Sequence, residues 1–187
     1  SFADAVAELN IVPVAISYEL DPCDADKARE LHARRTAGAY QKQEHEDLAS
    51  IYKGVVGAKG HVHVAFGELI RPAPANDDQL AAAIDRQIIA NYRLQPTHIM
   101  AWETLYGRDA RVEVWKRALA VHDWRDEEAE FGARLARVPG PAREIVLEMY
   151  ANPVSSRRAQ ITSAVLTPEH RSSSQGRSPH PLPGADW

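Results

Sequence analysis

Apolar positions along the chain change character once, near residue 76. Before it they form short runs broken by glycine, proline and charge; after it they recur at helical spacing. Phe2, Val6 and Leu9 open the chain at helical spacing and predict the tail of a helix, so the chain is expected to begin inside a larger domain. IVPVAISYE, at 11–19, predicts a buried strand with Pro13 near its front, a residue that sheets confine to edges, first positions and bulges. Asp21 as N-cap, Pro22 at the first helical position and Asp24 and Asp26 near the positive helix start predict a helix over 22–39. Arg29, Arg34 and Arg35 lie nearer its end and Gly38 stops it. Residues 41–47 read as a polar loop, and Leu48, Ile51, Tyr52 and Val55 as a short helix. His61 to Phe66 reads as a second strand between Gly60 and Gly67.

Beyond RPAPANDD the pattern is helical. Asn76 or Asp77 starts a helix striped by Leu80, Ile84, Ile88 and Tyr92. Pro96 and Thr97 punctuate it, and a helix through Ile99, Trp102 and Leu105 ends at Gly107. Val112, Trp115 and Leu119 mark another, Phe131, Leu135 and Val138 the next, and Ile145 with Met149 the last. After Thr167 the chain turns to Ser, Pro, Gly, His and Arg without periodicity, the composition of a disordered tail. The expected class is α/β: a partial sheet of about two strands with helices over 1–75, a helical extension over 76–155, and a mostly disordered tail over 156–187. Two strands alone do not make a stable sheet, so further strands are expected from sequence upstream.

Composition narrows the function. A length of 187 residues, 44% hydrophobic and 26% charged, suits a folded domain with a real core. A net charge of −4 gives no basic footprint for nucleic acid. The single cysteine, Cys23, excludes an internal disulfide framework. No apolar run approaches the ~18–20 residues that cross a bilayer, and the start lacks the layout of a signal peptide.

Four groups of residues invite a chemical reading. His61 and His63 fall on one face of a strand and would hold a metal given a third ligand such as Glu68, His45 or Asp47; a solvent-facing strand histidine is the commoner role. Cys23 lies in a helix's first turn, which lowers a thiol pKa, but Asp21, Asp24 and Asp26 oppose a thiolate and no general base is nominated. YKGVVGAKG places Gly54, Gly57 and Gly60 among Lys53 and Lys59, as a phosphate cradle would, yet it matches neither nucleotide fingerprint and reads better as a turn into the second strand. His122 and Asp123 are adjacent on a helix and do not face each other, while Trp102, Trp115 and Trp124 read as core or groove residues.

Four separated segments carry a family resemblance: IVPVAISYELDPCDADKA, YKGVVGAKGHVHVAFGE, NYRLQPTHIMAWE and LEMYANPV. Together, over about residues 1–155, they resemble the C-terminal part of bacterial glycerol-3-phosphate and 1-acylglycerol-3-phosphate acyltransferases. VPVAI looks like the family's fourth conserved block, a hydrophobic strand with an internal proline. The resemblance implies acyl transfer from a thioester, on coenzyme A or acyl carrier protein, to a glycerol-phosphate hydroxyl in phospholipid synthesis. No other cofactor is implied. In the family a His followed, after four residues, by Asp supplies the chemistry: the imidazole takes the hydroxyl proton and the carboxylate orients it.

That pair is missing. His32, His45, His61, His63, His98, His122, His170 and His180 are followed at the fifth position by Ala37, Ser50, Phe66, Glu68, Glu103, Glu127, Gln175 and Ala185. The family's Glu-Gly phosphate motif is absent as well. No catalytic residue is therefore carried over, and no metal ligand is assigned. Ile11, Val12, Pro13, Val14, Ala15 and Ile16 match a family block, with the role of shaping the site. The expectation is a C-terminal acyltransferase segment, inactive alone, cytoplasmic or peripheral at the inner face of the bacterial inner membrane. Its expected partners are an acyl thioester and a lipid or glycerol-phosphate acceptor, with self-association through surface a missing half would leave bare. A non-enzymatic helical interaction protein using residues 76–151 is the alternative.

Overall fold

The structure, a computed structural model, describes residues 1–166. Helix α1 (Phe2–Leu9) is closed at its start by a capping box between Ser1 and Asp4. Strand β1 (Val14–Tyr18) leads to α2 (Asp24–Ala37) and α3 (Glu46–Val56), and β2 (Val62–Phe66) returns beside β1. The rest is helical: α4 (Asp77–Asn91), α5 (Pro96–Tyr106), α6 (Ala110–Ala118), α7 (Trp124–Ala136) and α8 (Gly140–Leu166). The fold is mostly helical with one small sheet, and that sheet has two strands among the described residues.

β1 and β2 pair antiparallel, Val14 opposite Phe66 and Tyr18 opposite Val62. Hydrogen bonding continues past the strand ends, where Gly67 N–H reaches the Pro13 carbonyl at 2.7 Å and Ile70 N–H reaches that of Ile11 at 3.0 Å. Pro13 thus stands just before the first strand residue, offering an acceptor and no donor. The strand is shorter than the expected 11–19, and only one of its faces is buried. Pro13, Ala15, Ser17 and Glu19 are buried, whereas Val14, Ile16 and Tyr18 are 39–45% exposed. Across the sheet Val62, Val64 and Phe66 are exposed as well. The large apolar side chains of both strands share the open face.

Helix α2 begins two residues later than the expected 22. Asp21 acts from outside the helix, its Oδ1 accepting the Cys23 N–H at 2.8 Å, and the helix ends at Gly38 in the left-handed conformation, φ 74°. Asn76 caps α4 as its sequence signal predicts, accepting from Gln79 N–H at 2.9 Å. The core centres on α5 and α8. Residues Pro96 to Trp102 are all buried, and Ile99, Val146 and Val154 are fully enclosed. Ala28 of α2 joins the same cluster, so the first and second halves of the chain share a core.

Helix α8 runs through Pro153 to Leu166, past the boundary expected at 155. Its later turns are fastened to α4. Arg157 donates to the carbonyls of Ile89 and Tyr92, and Gln160 to that of Arg86 at 2.8 Å. The Ile89 and Tyr92 oxygens stand at the C-terminal end of α4, where carbonyls lack helical partners and the dipole favours a cation, and the Arg86 oxygen lies one turn earlier. Of the tail expected over 156–187, residues 156–166 are helical and residues 167–187 lie outside the described residues.

Candidate functional site

The end of β1 carries a polar network, and the NYRLQPTHI segment supplies part of it. The Tyr92 and His98 side chains lie against Tyr18. Thr97 donates its hydroxyl to the Glu19 carbonyl at 2.6 Å, and Tyr150 accepts from Asp21 N–H at 2.9 Å. Tyr150 donates in turn to Asp24 Oδ2 at 2.9 Å, the same oxygen that Arg134 Nε reaches at 2.7 Å. Arg134 also binds the Asp21 carbonyl. A segment whose own residues run Tyr-Glu-Leu-Asp-Pro-Cys-Asp is thereby fixed from α5, α7 and α8.

Burial governs the ionisable members of this network. It pulls the His98 imidazole down to about 4, outweighing the Tyr18 backbone and the Glu19 charge that act the other way. Nδ1 of that ring accepts the Gln95 N–H at 3.1 Å, so the neutral ring carries its proton on Nε2. Burial and the neighbouring Asp24 charge raise the Tyr150 phenol well above the usual range, and it stays a donor at neutral pH.

Glu19 lies beneath this clamp, 8% exposed. Its Oε2 accepts the His61 N–H at 2.8 Å and lies 2.7 Å from His61 Nδ1. The ring itself is open to solvent. Gly60 makes the approach feasible: its φ is +61°, and a Cβ there would sit 2.4 Å from Glu19 Oε2. His61 and His63 line one small cavity of about 180 Å³ with Arg93, Gln95 and Glu127. Glu127 also borders a second cavity of about 410 Å³, into which Glu19, Glu130 and Arg134 face. Burial, then the charges of Glu19 and Glu130, raise the Glu127 carboxyl above its ordinary value.

The sequence block Ile11 to Ile16 is split by the pleat. Val12, Val14 and Ile16 stand on the open face, Pro13 and Ala15 on the buried one, and Ile11 is half-buried. The block therefore contributes a surface and no polar group. His61 and His63 do share a cavity, and the group that meets His61 is the Glu19 carboxylate instead of Glu68, His45 or Asp47. Among the described residues no three His, Cys, Asp or Glu side chains converge as metal ligands.

The other candidates have structural roles. Cys23 is buried with its Sγ 3.5 Å from the Ser50 carbonyl. It borders a cleft of about 490 Å³ between α2 and α3, whose cations are already engaged. Lys27 pairs with Asp21 and Lys42 with Asp47, and Lys59 binds the carbonyls of Val55 and Gly57. Lys53 pairs with Asp26, so the glycine-lysine run builds a helix end and a turn. Asp123 caps α7 by accepting from Arg125 N–H at 2.8 Å, and Trp102, Trp115 and Trp124 pack in or against the core.

The Glu19–His61 pair is invisible to local motif reading because its members are 42 positions apart. One signal is present in the sequence: Glu19 continues the buried phase of Pro13, Ala15 and Ser17, and a carboxylate in that phase requires a partner. Searches against family models, curated proteins and solved structures find no match to this chain.

Proposed function

We propose that this chain is the C-terminal segment of a glycerolipid O-acyltransferase, inactive alone, that completes the sheet beside an acyl-transfer site formed by upstream sequence. One observation carries the reading beyond the resemblance of the four segments. Six large apolar side chains, Val14, Ile16, Tyr18, Val62, Val64 and Phe66, form a continuous cross-strand face open to water on a sheet of two strands. A sheet that small lacks independent stability, and an apolar face of that kind marks a surface that another layer covers. Helix α3 adds Leu48, Ile51, Tyr52, Val55 and Val56, each 60–72% exposed.

In this reading Val12, Val14 and Ile16 meet the upstream half, and Pro13 and Ala15 seat the strand on the helical half. The clamp on residues 18–24 then fixes the angle at which the apolar face is offered. The general base and its orienting carboxylate come from upstream, as does the pocket for the acyl chain. The acyl donor is a thioester of coenzyme A or acyl carrier protein, and the acceptor a glycerol phosphate. In this reading the chain attaches peripherally to the inner membrane face; no helix among the described residues is long and apolar enough to cross a membrane.

The test is an acyl-transfer assay on the purified 187-residue chain, with and without the upstream reading frame. No turnover by the chain alone, and turnover once a frame bearing His, four residues and Asp is restored, is the expected result. Turnover by the chain alone overturns it. A start codon directly before the Ser1 codon favours the helical interaction protein instead.

A further inference from the structure

We propose that the cavity between β2, the turn at 93–96 and the start of α7 binds a short hydroxycarboxylate, its carboxylate on Arg93 and its hydroxyl on His61. Binding there is independent of acyl transfer and shares only Val62 with the open apolar face.

The His61 imidazole is already oriented. Its Nδ1 is 2.7 Å from the buried Glu19 carboxylate, so that nitrogen carries the donated proton and Nε2 of the neutral ring is left as an acceptor. Glu19 is held in turn, because its Oε2 also takes the His61 N–H and its backbone carbonyl is bound by Thr97. A ring so placed offers an accepting nitrogen to a ligand hydroxyl without rotating first, which lowers the entropic cost of binding.

The second fixed group is Arg93. It is exposed, lines the same cavity, and takes part in none of the ion pairs or side-chain hydrogen bonds of the described residues. A guanidinium fork without a partner matches a planar carboxylate, which it can bind through two parallel hydrogen bonds. Gln95, only 4% exposed, borders the same space.

The charge around the cavity selects the anion. Glu127 forms one wall, and Glu19 and Glu130 lie close enough to raise its carboxyl, as does Asp126 more weakly. A doubly charged phosphate would meet this acidic wall with one unpaired arginine to offset it. A monoanion meets less of that repulsion, and Arg93 supplies the attraction that holds it. A cavity of about 180 Å³ limits the ligand to a few carbons, and Leu119, Val121 and Pro96 give its backbone an apolar side.

The experiment follows the imidazole nitrogens of the full chain by NMR while glycerate is added, with propionate and glycerol as halves of the ligand. Saturable displacement of the His61 signals by glycerate, with each half at least about tenfold weaker, is the expected result. Arg93→Ala should weaken glycerate about tenfold while leaving glycerol unchanged, and His61→Gln should remove the preference of glycerate over propionate. Arg93 is exposed, so its variant should keep the native amide spectrum and separate lost binding from lost fold. Unmoved His61 signals, equal binding of glycerate and propionate, or an Arg93→Ala variant with native affinity would each overturn the site. Acyl-transfer activity enters none of these readouts, so either proposal can fail while the other stands.

Discussion

Arg134 Nε donates to Asp24 Oδ2 at 2.7 Å, joining the last turn of α7 to the first turn of α2. Asp24 is 4% exposed, and the Tyr150 hydroxyl completes its set of donors. Removing the carboxylate strands a partly buried guanidinium. Asp24→Ala should cost roughly 3 kcal/mol, the range for breaking a buried pair from one side. Tyr150→Phe, which loses a neutral donor and an acceptor, should cost about 1–2 kcal/mol. Urea unfolding of both variants at pH 7 measures the order, and Tyr150→Phe as the costlier change would contradict it.

His98 makes stability depend on pH in the acid range. The unfolded imidazole titrates near 6.5 and the folded one at about 4, so the unfolded chain binds more protons between these values. Its contribution is fully present above pH 6.5 and disappears as pH falls through 4. A shift of that size corresponds to about 3 kcal/mol in total, of which roughly 2 kcal/mol is lost on going from pH 7 to pH 5. His98→Gln should start from a lower stability and lose less over the same interval. Urea midpoints at the two pH values check it.

Two glycines should respond with opposite signs. Gly60→Ala places a Cβ against Glu19 in the left-handed region and should cost about 1–2 kcal/mol, while releasing His61 from Glu19. Gly54 lies within α3, and a Cβ there would meet nothing within 4 Å, so Gly54→Ala should add about 0.5–1 kcal/mol. Thermal melts give the signs, and the His61 imidazole signal reports the release.

The open face of the sheet should tolerate polarity. Ile16 and Val64 face each other across the strands at 45% and 48% exposure, and replacing both with Thr should change stability by less than ~1 kcal/mol. Ala15→Thr, one residue away and 2% exposed, should cost about 1–3 kcal/mol by overfilling the interior. Equal tolerance at positions 15 and 16 would argue against the observed division of faces.

Local signals locate most elements and cannot say what covers them. Asn76, Gly38 and Gly107 end or begin helices as their residue types require, because a cap acts on its own backbone neighbours. The stripe Leu48, Ile51, Tyr52 and Val55 predicts α3 correctly, yet periodicity cannot tell a buried stripe from an open one. Helix α8 runs beyond its expected end because Pro153 and a polar run hide its periodicity, and its anchor residues on α4 are 65–74 positions away. The Glu19–His61 pair is hidden for the same reason: its chemistry arises from strand pairing, which brings position 61 beside position 19.

The contacts of Arg157 and Gln160 with α4 end on peptide oxygens of Arg86, Ile89 and Tyr92. A peptide oxygen is the same whichever side chain its residue carries, so this union constrains the path of α4 and leaves its residue types free. Arg35 and Glu148, joining α2 to α8 at 2.7 Å, are bound through side chains on both sides. Over evolutionary drift the α2–α8 contact should change in matched pairs, while α4 can vary alone against an unchanging arginine and glutamine. A method that finds helix neighbours by paired substitution would detect the first contact and pass over the second.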